Sequence, residues 1–544
     1  MTLSATQIQA IVDATKTPTP EQVRVVEAPR RPLLVVAGAG SGKTETMSMR
    51  VLWLLANHPD VTPASILGLT FTRKAAGELG DRLRERIRLL SRELPQLSER
   101  LDEDPVTLTY NSFAERIVSE HGMRIGIDPD FSMLSEAGAL DLMTQIVEAW
   151  PTDLDDDLSP AGVVGRILHL AGEIAEHGYT VESARQALEG FGRELEIVGD
   201  SNKAARELHQ ANQRRIAFLG PIEAYQKRKR EMGLLDFSDQ LVLATRIVRE
   251  VPSVRAALRE EFRAVLLDEF QDTSVIQMEL LSTLFGDHAV TAVGDPNQAI
   301  YGWRGASASS LETFLERFQT GVPEEGQTLT LSTAWRNDVS ILEAANRVAE
   351  PLREVASYQA GKEQLNAQSP VLVPRPGAGR GVVEIAYPAA YEDALAATVD
   401  FVKRVRSQAT KDGKRRTVAV LSRRRKDFPL IDAALREAGI PTEIVGLGGL
   451  LDQPAVQDVR AALELGYDVA ASPWLARLLA GIDLGAADLM ALGDWARILA
   501  RREGASSHQA VLLDAVDDPP APGWAAKGRP AISEEAVRRV RLLG

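Results

Sequence analysis

The stretch LLVVAGAGSGKTETM, Leu33 to Met47, begins as an apolar β-branched run, passes through alternating glycines and continues as a helical pattern. It fits GxxxxGK(S/T) with Ala37 where the first glycine would stand, and Gly38, Gly40 and Gly42 supply a loop whose backbone N–H groups can wrap phosphates. Ala39 and Ser41 complete the loop, Lys43 would meet the β and γ phosphates, and Thr44 would ligate Mg²⁺. A glycine-rich surface turn is the plain alternative. The strand pattern before the loop and the helix pattern after it favour the phosphate cradle.

Further β-branched runs ending in small or polar residues follow this stretch: ILGLTFT at 66, VTLTY at 106, AVLLDE at 264 and AVTAVGD at 289. Such near-continuous apolar runs predict a parallel sheet buried on both faces. Between Phe113 and about Gly233 the periodicity turns helical, so a helical insertion is expected within the sheet domain. A second strand series, TLTLST at 328, VVEIAY at 382, TVAVLS at 417 and TEIVG at 442, predicts a second α/β domain. From about Val459 the pattern is helical again, with the Pro-rich linker DDPPAPGWAAKGRP before a last amphipathic stretch.

A chain of 544 residues, 44% hydrophobic, has material for several buried cores. No apolar run is long enough to span a bilayer and the N-terminus lacks a signal-peptide pattern, so a cytoplasmic protein with no membrane partner is expected. The absence of Cys excludes disulfides and thiolate metal sites within this sequence, and seven scattered His argue against a histidine-rich one. The net charge of −14 does not suggest nucleic acid, but a groove lined with Lys and Arg is compatible with acidic outer faces, and base stacking escapes charge counting.

AVLLDEFQDTS delivers Asp268 and Glu269 side by side at a strand end. The first carboxylate can hold Mg²⁺ and the second can orient the attacking water, so with Lys43 and Thr44 the pair makes an NTPase. VGDPNQAIYGWRGA offers Gln298 as a γ-phosphate sensor, and LSTAWRND offers Arg336 as an arginine finger. Taken alone, Phe71 or Tyr110 at a strand end reads as core, and QKRKRE near 226 as a solvated helix face.

These blocks, in this order, resemble the superfamily 1 DNA helicases of the UvrD, PcrA and Rep type. The match runs through TPEQVRVVEAP, AGAGSGKT, LTFTRKAAGEL, TYNSFAERIV, LDFSDQL, LLDEFQDTS, VGDPNQAIYGWRGA and LSTAWRND. The resemblance implies two RecA-like motor domains, each with a helical insertion: 1A over 1–115 and 233–307, 1B over 116–232, 2A over 308–458 and 2B from 459 to 544. It implies ATP and Mg²⁺ as cofactors, 3′ to 5′ movement on single-stranded DNA, and junctions of single and double strand as substrates in repair or recombination. Gln22 would read adenine, with Trp335 as its flat surface. Phe71, Arg73, Tyr110, Asn111, Trp303 and Arg304 would contact the strand. The family more often has Asn where Arg73 stands, His at Asn111 and Tyr at Trp335.

More narrowly, RPLLVVAGAGSGKTETM, LGLTFTRKAAGEL and LSTAWRND are similar to the AdnB-type subunit of the actinobacterial helicase–nuclease, which implies a second helicase–nuclease subunit as partner. Two later family blocks, of the types TxHxxKGLEW and VAxTRA, do not occur here, so an incomplete second motor domain with little turnover of its own is expected. A non-motor DNA-binding or assembly subunit with a nucleotide switch is the competing class, and an RNA-directed enzyme a third.

Overall fold

In the computed structural model the described residues are 2–128, 130–152, 154, 159–198, 203–302, 310–319, 327–359, 368–409, 413–445, 454–467, 472–502 and 510–542. The first apolar run forms β1 (Leu33–Ala37), buried at every position because strands cover both of its edges. The sheet is parallel throughout, in the order β3 (Val106–Thr109), β2 (Ile66–Thr70), β6 (Ala264–Leu267), β7 (Val290–Gly294), β1, β8 (Gln327–Leu331). Register pairs Leu33 with Thr291 on one side and with Gln327 on the other.

Successive side chains of a strand point to opposite faces, so an all-apolar strand feeds two cores. Leu34, Val36, Leu67, Leu69, Val265 and Leu267 enter one; Leu33, Val35, Ala37, Ile66, Ala264 and Leu266 enter the other. The second core is roofed by α1 (Ala5–Val12), α2 (Pro20–Val26), α3 (Lys43–Asn57) and α4 (Arg73–Glu93). The first is roofed by α5 (Tyr110–His121) and by four helices from beyond the insertion.

The insertion consists of α6 (Glu136–Glu148), α7 (Pro160–Glu176), α8 (Val181–Val198) and α9 (Lys203–Glu231), which bury Leu142, Met143, Ile167, Leu219 and Ile222 in a core of their own. Its neck is a short parallel pair, β4 (Ser132–Met133) with β5 (Leu234–Leu235). Beside it Lys229, 4% exposed, is clamped by Asp236 Oδ2 at 2.5 Å and Asp239 Oδ2 at 2.6 Å. The sheet domain then resumes with α10 (Phe237–Glu250), α11 (Pro252–Glu261), α12 (Val275–Phe285) and α13 (Phe314–Phe318).

The chain divides into two compact units, residues 1–384 and 385–544. The first therefore includes α14 (Val339–Gln359) and the two-residue strands β9 (Thr333–Ala334) and β10 (Val373–Pro374). This corrects the sequence reading of the strand at 328. TLTLST does not open a second sheet; as β8 it covers the free edge of β1, where its apolar residues gain a neighbour.

The second unit holds α15 (Tyr391–Ser407), α16 (Phe428–Glu437), α17 (Pro454–Tyr467), α18 (Ser472–Gly481), α19 (Ala486–Arg502), α20 (Leu512–Asp517) and α21 (Glu534–Arg541). α18–α21 share a core around Leu479, Leu492, Ala515 and Val540, and α15 and α16 meet at Val402 and Leu435. The strands expected from VVEIAY, TVAVLS and TEIVG are not formed among the described residues: these segments carry no ladder, and Ile385, Tyr387 and Leu421 are at least 90% exposed. Alternating apolar residues favour extended backbone, but a ladder also requires a neighbouring strand in register, and no described segment provides one.

Candidate nucleotide site and nucleic-acid face

The loop after β1 turns because Gly40 and Gly42 take left-handed φ values of +72° and +83°, which residues with a Cβ rarely adopt. Gly42 is also the N-cap of α3, so the loop ends at the positive end of a 15-residue helix whose first N–H groups face outward. Close neighbours explain the glycines further. A Cβ on Gly40 would stand 3.1 Å from Arg336 Cβ, and one on Gly42 would stand 3.2 Å from Gln22 Nε2 and 3.7 Å from Trp335 Cδ1. A Cβ on Gly38 would run into Leu372 Cδ2. Trp335 N–H donates to Gly40 O at 2.8 Å, so the backbone carrying Trp335 and Arg336 is fixed against the loop. Ser41 Oγ is buried in the cradle without a hydrogen-bond partner among the described residues.

Opposite the loop, β6 ends in the carboxylate pair. Asp268 is 8% exposed, and burial pushes its pKa up to about 6, with the neighbouring Glu269 charge adding to the rise and Lys43 and Arg82 opposing it. Its Oδ1 accepts Glu269 N–H at 3.0 Å. Glu269 has φ +49°, a strained conformation for a residue with a side chain, and it turns the carboxylate back toward the loop. Glu269 Oε2 receives Lys43 Nζ at 3.3 Å and Gln271 Nε2 at 2.9 Å. A buried anion and a half-buried one beside a single ammonium are a donor set suited to a divalent ion and a phosphate. Among the described residues no group of three His, Cys, Asp or Glu forms a metal cage, so such an ion would need ligands from its nucleotide.

Gln271 and Asp295 were not singled out by sequence reasoning. Asp295 N–H donates to Gln271 Oε1 at 3.0 Å, and Asp295 Oδ2 accepts Gln298 Nε2 at 2.6 Å. Gln271 thus links the end of β6 to the end of β7. The signal was present, since Gln271 stands inside LLDEFQDTS, two residues after Glu269.

Gln22 lies on α2, where it completes a capping box: Thr19 N–H donates to Gln22 Oε1 at 2.9 Å and Gln22 N–H to Thr19 Oγ1 at 3.2 Å. The carbonyl end of its amide is committed to the cap, and the Nε2 end faces the loop. α2 is held by Arg50, a 1% exposed residue of α3 that donates to Val25 O, Val26 O, Ala28 O and Pro29 O and, from Nε, to Thr291 Oγ1. Trp335 is 40% exposed beside Gln22, and Arg336 is exposed.

The residues expected on the strand-binding face fare unequally. Phe71 stacks on Tyr301, with centroids 4.3 Å apart and planes 29° apart, and Arg73 opens α4 exposed. Tyr110 belongs to the core: it is 4% exposed and donates its hydroxyl to Asp268 O at 3.0 Å, which removes it from any strand. Asn111 is half-buried, its Oδ1 accepting Gln277 Nε2 at 3.3 Å. Trp303 and Arg304 lie outside the described residues.

Residues 18–319, more than half of the chain, match the UvrD/REP helicase N-terminal domain. The chain belongs to the UvrD/REP helicase family. The matched span contains α2, the phosphate loop, the carboxylate pair and Gln298. Family relatives include DNA helicase II of Escherichia coli (strain K12), 30% identical over 334 residues, which cover 61% of this chain and 40% of the relative. DNA helicase II of Salmonella typhimurium is also 30% identical over 334 residues, 61% of this chain and 40% of the relative. The ATP-dependent DNA helicase PcrA of Staphylococcus epidermidis is 29% identical over 329 residues, 60% of this chain and 39% of the relative. The chain thus spans about two fifths of the length of these curated relatives.

Proposed function

We propose that this chain forms the ATP-binding and DNA-engaging part of an ATP-dependent DNA helicase that moves 3′ to 5′ on single-stranded DNA in repair or recombination. The observation that carries the reading is the convergence of Lys43, Glu269, Gln22, Trp335 and Arg336, from four separate stretches of sequence, on one glycine loop. Gln22 Nε2 and the Trp335 ring flank the place for an adenine, and the loop N–H groups, Ser41 Oγ and Lys43 receive phosphate oxygens. Thr44 and Asp268 would hold Mg²⁺, which when bound would supply positive charge to offset that of the phosphates. Glu269 orients the attacking water and takes its proton, Gln298 reads the γ-phosphate, and Arg336 stabilises charge that develops on the phosphoryl group in transfer.

Phe71, Arg73, Asn111, Trp303 and Arg304 are our candidates for strand contact, with single-stranded DNA and its junctions as substrates. The separate core of α6–α9 and the pairing at its neck support a helical insertion, 1B, which we read as 116–232 with 1A on either side. We read residues 308–458 as 2A and 459–544 as part of 2B, with β8 contributed to the 1A sheet. The family blocks quoted above favour an AdnB-type subunit working with a second helicase–nuclease subunit in the cytoplasm. ATP turnover with and without single-stranded DNA tests the proposal. A low turnover that DNA raises and that Glu269→Gln removes is the expected result; nucleotide binding without any DNA-stimulated turnover would reassign the chain to a nucleotide-switch subunit.

A further inference from the structure

We propose that Ser369 is a positioning residue for Gln298, and that the strap 368–374 mechanically joins the γ-phosphate reader, the phosphate loop and the segment carrying Arg336. The inference rests on the nucleotide reading above. The strap makes a separate contact with each. Ser369 Oγ donates to Asp295 Oδ1 at 2.7 Å, both residues being buried, while the other oxygen of the same carboxylate holds Gln298. Three residues on, Leu372 occupies the space that a side chain on Gly38 would need. At its far end Val373 N–H donates to Ser332 O at 2.9 Å, and just beyond the strap Arg375 donates to Asn337 O at 2.9 Å and to Asp338 Oδ1 at 2.8 Å.

Leu372 is held in place by a two-point clamp from α14. Leu372 N–H donates to Asn346 Oδ1 at 2.8 Å, and Asn346 Nδ2 donates to Leu372 O at 2.9 Å. A side-chain amide that satisfies both groups of one backbone unit copies a strand pairing and fixes the strap without a sheet. A cavity of about 430 Å³ lined by Gly38, Ala39, Asp295, Gln298, Ser369 and Leu372 leaves Gln298 room to swing away from Asp295.

Asp295 is a buried carboxylate and must be satisfied by donors. Among the described residues it has three, the Asn297 N–H at 3.0 Å, Gln298 Nε2 and Ser369 Oγ. With the serine hydroxyl present, Gln298 can leave and the charge keeps two partners. Without it, the carboxylate depends on Gln298 more strongly, and the amide is withheld from a γ-phosphate. Ser369 therefore sets how readily the site distinguishes a triphosphate from a diphosphate, without touching either.

The test is titration of the 544-residue chain with fluorescent ADP and with a fluorescent non-hydrolysable ATP analogue. Ser369→Ala should weaken the analogue by about three- to tenfold, the scale of one ordinary net hydrogen bond, with ADP affinity held within about twofold. Ser369→Thr, which keeps the hydroxyl, should restore the parent ratio. In a Gln298→Ala background the Ser369→Ala change should have no further effect on the ratio, an outcome that general loosening of the loop would not produce. A parent chain that binds neither nucleotide overturns the nucleotide reading and this inference with it. Normal binding by the parent, with an unchanged or increased analogue-to-ADP ratio in Ser369→Ala, overturns this inference alone.

Discussion

Replacing Arg50 by Met should cost about 4 kcal/mol and be felt first in α2, the helix that carries Gln22. Among the described residues the guanidinium makes five hydrogen bonds, four to backbone carbonyls around the end of α2 and one to Thr291, and none to a carboxylate. At a lower figure of about 1.5 kcal/mol for each bond to a charged donor, the set is worth roughly 7 to 8 kcal/mol. Against this stands the cost of burying the charge. Burial pulls the Arg50 pKa from 12.5 to about 10, equivalent to about 3 kcal/mol, which Met recovers. The difference is about 4 kcal/mol. Lys has three donors at a single point, so Arg50→Lys keeps at most three of the bonds, still pays for burial, and should lose about 2 to 3 kcal/mol. Urea unfolding gives the totals, and hydrogen exchange at the amides of residues 23–28 locates the loss. Adenine-nucleotide affinity should fall in step with that exchange, since Gln22 rides on the same helix. Exchange at α2 equal to the parent's in Arg50→Met would refute the reasoning, because it would mean that the carbonyls never depended on the guanidinium.

Lys43→Ala should abolish ATP hydrolysis with the fold retained, whereas Glu269→Gln should bind ATP and fail to turn it over; circular dichroism and steady-state ATPase assays check both. Asp268 has a folded-state pKa of about 6 against 3.8 for a free carboxyl, so folding is unpenalised below about pH 4 and carries a cost of about 3 kcal/mol above pH 6. Asp268→Asn should therefore stabilise the nucleotide-free protein at pH 7.5, with the gain fading as pH falls through 6 to 4 in urea titrations; an equal effect at both ends of that range counts against it. Lys229→Met leaves Asp236 and Asp239 facing each other at the insertion neck and should cost about 3 to 5 kcal/mol, with the loss largely recovered by adding Asp239→Asn. A loss below about 1 kcal/mol in the single variant would show that the carboxylates reach water without the lysine.

What the sequence made legible follows from the range of the interactions involved. The phosphate loop was readable because its geometry is local: positive φ at Gly40 and Gly42 and a strand-to-helix switch are all written within a dozen residues. Strand positions in the first sheet were readable for a similar reason, since a strand buried on both faces is apolar throughout. The proximity of Gln22, Trp335 and Arg336 to the loop came only through the order of whole blocks, as no local pattern links residue 22 to residue 335. Ser369 and Leu372 were invisible. A lone serine and a leucine in SPVLVPRP have no signature, and their role arises from contact with Asp295 and Gly38, residues far away in sequence. Tyr110 shows the opposite failure: it sits in a block associated with the strand-binding face, but a tyrosine at a strand end can equally be core, and here its hydroxyl closes a hydrogen bond beneath Asp268. The second strand series misled because hydropathy reports a preference for extended backbone and is silent about whether a partner strand lies alongside.

The position of β1 between β7 and β8 has a consequence for the order in which the molecule can be made. The strand before the phosphate loop leaves the ribosome about 250 residues ahead of its first neighbour, an interval that at roughly 5 to 20 residues per second is on the order of 10 to 50 s. Throughout that interval LLVVA is an apolar strand with both edges open, the type of segment that pairs with the wrong chain. The nascent protein therefore passes through an aggregation-prone stage with its phosphate-loop strand exposed, and a holding chaperone would have that segment to guard until β7 and then β8 arrive.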